Sequence, residues 1–341
     1  MAVFIRDKEA RHNFRNKYKR KSKFRKLRDD NKKLFDDNKM LEEKLEKVQH
    51  DMSLLKTLIM NHTWLEPLNN NPNIYLSVAC ISKDEAPYIK EWIEYHKIVG
   101  VERFYFYDNE SSDNTKEVLK PYIDSGEVIY KYVEGKLMQV PSYQDAILMA
   151  RGQTRWLALI DLDEFIVPIE KNSVPEFLKD FEQYPGIGIN SLIFDYNGHR
   201  VPPKENGGLV TANYVRVPKN PDDPCNKICI KSIVNPMEVV SLNNPHIFQF
   251  RNYGTVTENC ELTGSLTKHY SASKIRINHY IARSAEDVEN KQKKGSAATR
   301  RYVNYKPREL NILKDIETRY DYEIKKFLPK LKDAMGIKSC N

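Results

Sequence analysis

The sequence contains no run of about 18 uncharged apolar residues, so nothing in it reads as a membrane-spanning helix. It opens MAVFIRDKEARHNFRNKYKRKSKFRK, charged too early to read as a secretory signal. Cysteine is sparse and scattered, with Cys80, Cys225, Cys229, Cys260 and Cys340 the only five. Cys225 and Cys229 stand four apart with no second pair, so neither a zinc site nor a disulfide framework is expected. Reduced thiols in a cytoplasmic compartment are the reading, and the sequons at Asn61 and Asn109 are then incidental. Glycine is missing from SKDEAPY, which follows the first apolar run. A sugar nucleotidyltransferase would want a basic, Gly-rich phosphate loop there. The dense His/Asp set of a two-metal hydrolase is also lacking.

What is present divides unevenly. Residues 1–26 hold eleven Lys or Arg against Asp7 and Glu9, a net of +9 in a chain whose total is +8. The basic tail therefore accounts for the whole excess. With Phe4, Phe14, Tyr18 and Phe24 interleaved, this arm suits peripheral association with an anionic membrane better than nucleic-acid binding. From Phe24 to His62 a heptad runs without a slip. Its a positions are Phe24, Asn31, Asn38, Leu45, Met52 and Ile59, and its d positions Leu27, Leu34, Leu41, Val48, Leu55 and His62. Nine of the twelve are apolar, which predicts a coiled coil ~60 Å long that makes a homo-oligomer. Asn at a favours a parallel dimer, with a trimer as the alternative. EPLNNNPN, residues 66–73, then breaks the helix and makes a linker.

Beyond the linker, strands and helices alternate. IYLSVACIS, VERFYFYD, EVIYKYV and RWLALID read as strands, separated by the helical stretches APYIKEWIEYHKIVG, NTKEVLKPYIDSG and SYQDAILMARGQ. Such alternation predicts an α/β fold with a mostly parallel sheet flanked by helices. Ligands of such sheets sit outside the carboxyl ends of the strands. That rule brings Lys83-Asp84-Glu85, Asp108-Asn109 and Asp161-Leu162-Asp163 to one acidic edge. Asp161 and Asp163, two apart at a strand end, suit Mg2+ or Mn2+, which take few carboxylates and complete their shell with water and phosphate. Later, KNSVPEFLKDFEQYP reads as a helix, and IGINSLIFDY, NKICIKSIV and KIRINHYI as strands. SAEDVENKQKKG reads as a helix behind a Ser N-cap, and residues 306–335 as a helix-rich tail.

At this point the residues carry a resemblance. SVACISKDEAPYIKEWIEYHKIVGVERFYFYDNESSDNTKEVL, QVPSYQDAILMARGQTRWLALIDLDEFIVP, FDYNGH, KSIVNP, NPHIF and NHYIARSAEDVENKQKKG occur in order. Together they resemble nucleotide-sugar glycosyltransferases of GT-A (Rossmann-like) fold, in their family 2-like and family 92-like group. The resemblance runs from about residue 75 to 300. It implies a glycosyltransferase domain, taken as 74–305, and leaves outside it the basic arm (1–22), the coiled coil (23–65), the linker (66–73) and the tail (306–341) that composition and periodicity mark out.

The resemblance also implies roles. Asp84, where Asn is usual, and Asp108 match nucleotide-side positions. Asp161 and Asp163 match the metal-binding Asp-x-Asp, Asp163 as the more direct ligand, with Glu164 supporting from a second layer. A later histidine, His246 or His279, adds a metal ligand, while His199 belongs to the acceptor side or simply to a loop. Lys227, Lys231, Lys291 and Lys294 are candidate phosphate partners. If the reaction inverts, a carboxylate must deprotonate the acceptor. Asp195 is the candidate, with Glu205, Asp222, Asp223 and Glu258 open. The function implied is metal-dependent transfer of a sugar, from a UDP-sugar as the expected donor, to a glycan or lipid-linked acceptor. The competing reading is an inactive GT-A domain serving as a coiled-coil scaffold or as a membrane- or nucleic-acid-binding protein. A cytoplasmic enzyme, peripheral at the inner face of the membrane, is the expected setting.

Overall fold

The computed structural model describes residues 72–338 apart from 221–222, 224–225, 227–228, 282, 295–312 and 314–315, and adds scattered residues between 30 and 52. The chain divides into an N-terminal unit ending at Leu58 and a body from Ile59. In the first unit every described residue is helical. Leu41, Leu45, Val48 and Met52, four heptad positions, are exposed. The basic arm 1–22, the heptad positions other than these four and Asn38, and the linker apart from Pro72 and Asn73 lie outside the described residues. Among the described residues no helix is long and apolar enough to cross a membrane.

The body begins with the predicted alternation. Its elements are β1 (Ile74–Ser82), α1 (Ala86–Ile98), β2 (Arg103–Asp108), α2 (Thr115–Asp124), β3 (Val128–Tyr132), α3 (Gln139–Ala150) and β4 (Thr154–Leu159). These are followed by β5 (Glu164–Pro168), α4 (Val174–Leu178), β6 (Gly186–Ile189), β7 (Ser191–Ile193), α5 (Val210–Asn213) and β8 (Arg216–Pro218). Next come β9 (Lys231–Val234), β10 (Val239–Asn244), β11 (Ile247–Phe250), β12 (Thr255–Val256) and β13 (Ile275–His279). α6 (Ala285–Lys294), β14 (Thr318–Tyr320) and α7 (Leu328–Ala334) complete the set.

The central sheet runs β12-β6-β9-β4-β1-β2-β3. β3, β2, β1 and β4 are mutually parallel, and β9 then runs antiparallel to both β4 and β6. The α/β expectation is therefore met, with one half of the sheet mixed. β1, β2 and β4 are buried on both faces, which is why they read as continuous apolar runs rather than alternating ones. Leu76, Val78, Phe104 and Trp156 pack on the α1 and α2 side, and Ala79, Tyr105, Leu157 and Tyr143 on the α3 side.

A second sheet, β5-β13-β7, stands beside the first. IGINSLIFDY is split between the two sheets at Asn190, since β6 joins the large one and β7 the small one. α1 fixes the second sheet in place. Its Trp92 Nε1 donates to Glu164 O (2.8 Å) and Tyr95 OH to Ile166 O (3.0 Å). His96 Nε2 accepts from Ile166 N (3.3 Å). Residue 100 must be glycine at the end of α1, because φ is +105° and a Cβ would meet Pro175 at 2.6 Å.

The described part of the chain end is helical over Glu323–Ala334 and adds a strand that the expected helix-rich tail did not include. Thr318–Tyr320 forms a strand against β8, and Ile324, Phe327 and Leu331 are buried in the main core. Asp321 closes a buried ion pair with Arg276 of β13. Apolar spacing over three short elements looks helical in sequence, while the strand is defined by its partner.

Candidate active site

The strand register assembles the acidic edge. Ser82 lies opposite Asp108, and Ile160 N donates to Ala79 O (3.2 Å), so the ends of β2, β1 and β4 are neighbours. Beyond β4 the chain turns tightly through Asp161–Glu164. Glu164 N donates to Asp161 O (3.1 Å), and Asp161 N donates to Glu164 Oε2 (3.0 Å). The turn sends the next strand into the second sheet, where Glu164 faces His279 directly across the β5–β13 pair. Tyr280 N donates to Asp163 O (2.8 Å), which anchors the turn from the other side.

Every carboxylate of the turn has a cationic neighbour. Lys231 Nζ, from β9, lies 2.6 Å from Asp161 Oδ2 and 3.2 Å from Glu164 Oε2, with its side chain only 5% exposed. Asp161 Oδ1 accepts from Gln139 Nε2 (2.9 Å) and Tyr143 OH (3.2 Å), two residues one turn apart on α3. Asp163 Oδ2 accepts from Lys291 Nζ of α6 (2.5 Å). His279 sits between two carboxylates, with Nε2 3.6 Å from Asp163 Oδ1 and Nδ1 3.5 Å from Glu164 Oε1. His279 Nδ1 and Glu164 Oε1 are both buried and have no hydrogen-bond partner.

These charges set the protonation of the site. Burial pushes the Asp161 carboxyl up, but the Lys231 ammonium overrides it and holds Asp161 below the ordinary carboxylate range. Burial is overridden at Asp163 too, by Lys291 and then His279, and its carboxyl falls well below that range. At Glu164 burial prevails over Lys231 and raises the carboxyl. For His279 burial disfavours the imidazolium, yet Asp163 and Glu164 together raise it.

A divalent cation of the kind the sequence implies fits part of this set. Among the described residues no three acidic, histidine or cysteine side chains already form a metal cage. Two ligands do stand together, Asp163 Oδ1 and His279 Nε2. The buried, facing His279 Nδ1 and Glu164 Oε1 are the parts of a carboxylate–histidine pair that would fix the imidazole with Nε2 outward. Mg2+ and Mn2+ are held by one or two protein groups with water and phosphate supplying the rest, so this donor set suits them.

The other expected residues fall in several places. Asp161 lies at the site with its oxygens engaged by Gln139, Tyr143 and Lys231. Asp84 and Asp108 are at the edge but hold its loop: Asp84 Oδ1 accepts from Ser112 N (2.5 Å), and Asp108 binds Ser111 N (2.9 Å) and Tyr130 OH (2.8 Å). His246, in the β10–β11 turn, donates through Nδ1 to Ile230 O (2.9 Å), and its charged neighbours are Lys231 and Asp161. Burial pushes its imidazole pKa down. His199 packs edge-on against Tyr214, and its carbonyl accepts from Ala285 N at the start of α6. Lys227 and Asp222 lie outside the described residues, as does the Lys294 side chain.

Asp195 needs a correction. It is fully buried, Oδ2 is paired with Arg216, and Oδ1 accepts from Asn197 N (2.9 Å). Oδ2 ties the end of β7 to β8 and Oδ1 holds the turn that follows, and the fully buried carboxylate is not open to an acceptor. Glu258 is likewise a structural carboxylate, accepting from Ser273, Lys274 and Ile275 main-chain N–H groups. Glu205 is exposed, and Asp223 is half-buried.

Three residues around the site were not among the expected ones: Gln139, Tyr143 and Arg283. The first two carried a signal, because QVPSY places them at i and i+4 on one helix face. Arg283 pairs with Glu85 and lies 3.5 Å over the Tyr88 ring. Its partner is 198 residues away, and no local pattern announces it.

A glycosyltransferase family 92 protein of Oryza sativa subsp. japonica is 30% identical over 114 residues, 33% of this chain and 20% of that protein. One of Arabidopsis thaliana is 26% identical over 189 residues, 52% of this chain and 32% of that protein. A galactan beta-1,4-galactosyltransferase of Arabidopsis thaliana is 29% identical over 117 residues, 30% of this chain and 22% of that protein. The chain thus spans at most about a third of the length of these relatives. Among solved structures, S. aureus TarS in complex with UDP gives a TM-score of 0.30 at 14% identity, covering 48% of this chain and 47% of that one. Glucosyl-3-phosphoglycerate synthase from Mycobacterium tuberculosis, with Mn2+ and UDP-glucose, gives 0.29 at 15%, covering 49% and 58%. The sequence profile of Glycosyltransferase family 92 matches residues 73–319, from the start of β1 into β14 and across the whole acidic edge, and the chain belongs to that family.

Proposed function

We propose that this chain transfers a sugar from a nucleotide diphosphate sugar to a hydroxyl of a glycan acceptor, in a reaction that uses Mn2+ or Mg2+. The observation that carries the reading is the array of Asp163, His279 and Glu164 at the carboxyl edge of the parallel strands. Asp163 and His279 Nε2 would hold the cation, and Glu164 would keep the imidazole turned towards it. A cation bound there draws off negative charge from the leaving diphosphate. Lys231, fixed in the sheet, keeps Asp161 ionised and oriented, and Asp161 in turn stays locked to α3. Asp84 and Asp108 shape the loop over which the nucleoside would lie. Asp195 takes no part in proton transfer on this account.

Membership in family 92 supports sugar transfer as the reaction class. One relative is named a galactan beta-1,4-galactosyltransferase, which supports a hexose donor and a polysaccharide acceptor. UDP-sugars are the first donors to try, and inversion at the anomeric carbon is the stereochemistry proposed. The experiment is a panel of UDP-galactose, UDP-glucose, UDP-N-acetylglucosamine and GDP-mannose with galacto-oligosaccharide acceptors, read as nucleotide release with and without Mn2+. Metal-dependent consumption of one donor supports the reading. Consumption of none, or release unaffected by EDTA, counts against it.

A further inference from the structure

Two lysines neutralise the acidic turn, and they are held in unlike ways. Lys231 projects from a central strand, is 5% exposed, and touches carboxylates on both sides. Lys291 projects from α6 on the rim, is 33% exposed, and lies 2.5 Å from Asp163 Oδ2. Asp163 is one of the two groups placed to hold a cation, and its other oxygen faces His279. An ammonium and a divalent ion on the same carboxylate repel each other strongly at that range. A cation and its diphosphate therefore meet Lys291 already in position.

α6 is built to hold Lys291 near the site without burying it. Ser284 caps the helix: Asp287 N donates to its Oγ (3.1 Å), and its hydroxyl donates to Asp287 Oδ2 (2.6 Å). Asp287 Oδ1 then accepts from Tyr88 OH (2.6 Å), and Arg283 covers the Tyr88 ring while pairing with Glu85. Those contacts fasten the first turn of α6 to α1. Lys291 lies one helical turn beyond Asp287, past the fastened segment, on a flexible four-carbon stem.

We propose that Lys291 is an exchangeable counter-ion: it holds Asp163 when no donor is present, and moves to the donor's diphosphate when the metal takes its place. The proposal rests on the functional reading above and adds a built-in competitor to it. Lys291 would oppose metal binding in the free chain and favour nucleotide binding in the metal-loaded one. Whether the diphosphate is present decides which effect appears.

The test separates these two signs. Mn2+ binding to the full chain is measured by electron paramagnetic resonance without nucleotide, and UDP and GDP binding by calorimetry at saturating Mn2+. In Lys291→Met, Mn2+ is expected to bind about three- to ten-fold more tightly, because a partly exposed opposing charge is gone. The nucleoside diphosphate that the wild type binds is expected to bind about ten-fold or more weakly, through loss of a charge-assisted contact. Lys291→Arg, which keeps the charge, should stay within about three-fold of wild type in both. Thermal unfolding of both variants checks that the fold is retained. If both affinities fall together, or neither moves, the exchange is overturned while the functional reading stands. If the wild type binds neither UDP nor GDP with Mn2+, both fall.

Discussion

Lys231 and Asp161 are 70 residues apart in the sequence and 2.6 Å apart in the fold. The pair joins β9 to the end of β4, and Glu164 shares the same ammonium. Removing the lysine would leave two carboxylates at the sheet edge without a counter-ion. Lys231→Met is accordingly expected to cost about 3–5 kcal/mol in denaturant unfolding, the range for breaking a buried pair from one side. Adding Asp161→Asn should recover part of that loss, because the double variant no longer carries the orphaned charge. A loss under about 1 kcal/mol in the single variant would mean that the pair holds nothing together.

Glu164 provides a sharper separation of fold from function. Glu164→Gln keeps the shape of the side chain while weakening its claim on His279 Nδ1. Mn2+ affinity should fall about 10- to 100-fold, as it does when a group behind a metal-bound histidine is changed. Unfolding should shift much less than for Lys231→Met. Titration of Mn2+ by electron paramagnetic resonance reads the difference, and an unchanged affinity would remove Glu164 from the site.

Much of this geometry was legible beforehand, and the reason is local. Apolar runs with helices between them gave the parallel strands, and the rule for strand ends placed Asp84, Asp108 and Asp161 along one edge. The Ser284 cap of α6 was visible in four consecutive residues. The partners of the acids were not visible, because each pairing crosses the chain. Lys291 is 128 residues from Asp163, and the lysine of IKSIV reads in sequence as one polar residue in a strand. His246 and His279 could not be separated either, since only the β5–β13 register sets His279 opposite Glu164. Asp195 looked like a strand-end acid available for chemistry. Its commitment to Arg216 depends on the approach of β8 to the end of β7, which no short motif encodes.

His96 links the site's support to pH. It is fully buried in α1, with Nδ1 donating to Trp92 O (2.8 Å) and Nε2 accepting from Ile166 N. Burial lowers its pKa to about 3, so the folded chain keeps it neutral. The unfolded chain binds a proton near pH 6.5, so the unfolded state holds more protons between those values. The neutral ring's contribution is complete above about pH 6.5 and is lost as pH falls towards 3, by up to about 1.4 kcal/mol per unit. Thermal melts from pH 7 to 4 should show that slope. His96→Asn should start less stable and decline less steeply, whereas an equal slope would assign the acid sensitivity elsewhere.

The exposed row Leu41, Leu45, Val48 and Met52 bears on assembly. Its 4-3 spacing on helical residues is what a coiled-coil seam requires, and an uncovered seam of this kind is costly in water. Sedimentation equilibrium of the full chain is expected to give a dimer. Leu45→Asp with Val48→Asp should convert it to a monomer without altering the melting of the body. A wild-type monomer at micromolar concentration would end the assembly reading.

The most direct test of the central claim is calorimetric. UDP is titrated into the full chain with Mn2+ and with EDTA, and the same is done with Asp163→Ala. The account predicts binding that requires Mn2+ in the wild type and disappears in the variant, with melting of the variant showing a folded chain. Nucleotide binding that is equal with EDTA, or that survives in Asp163→Ala, would contradict it.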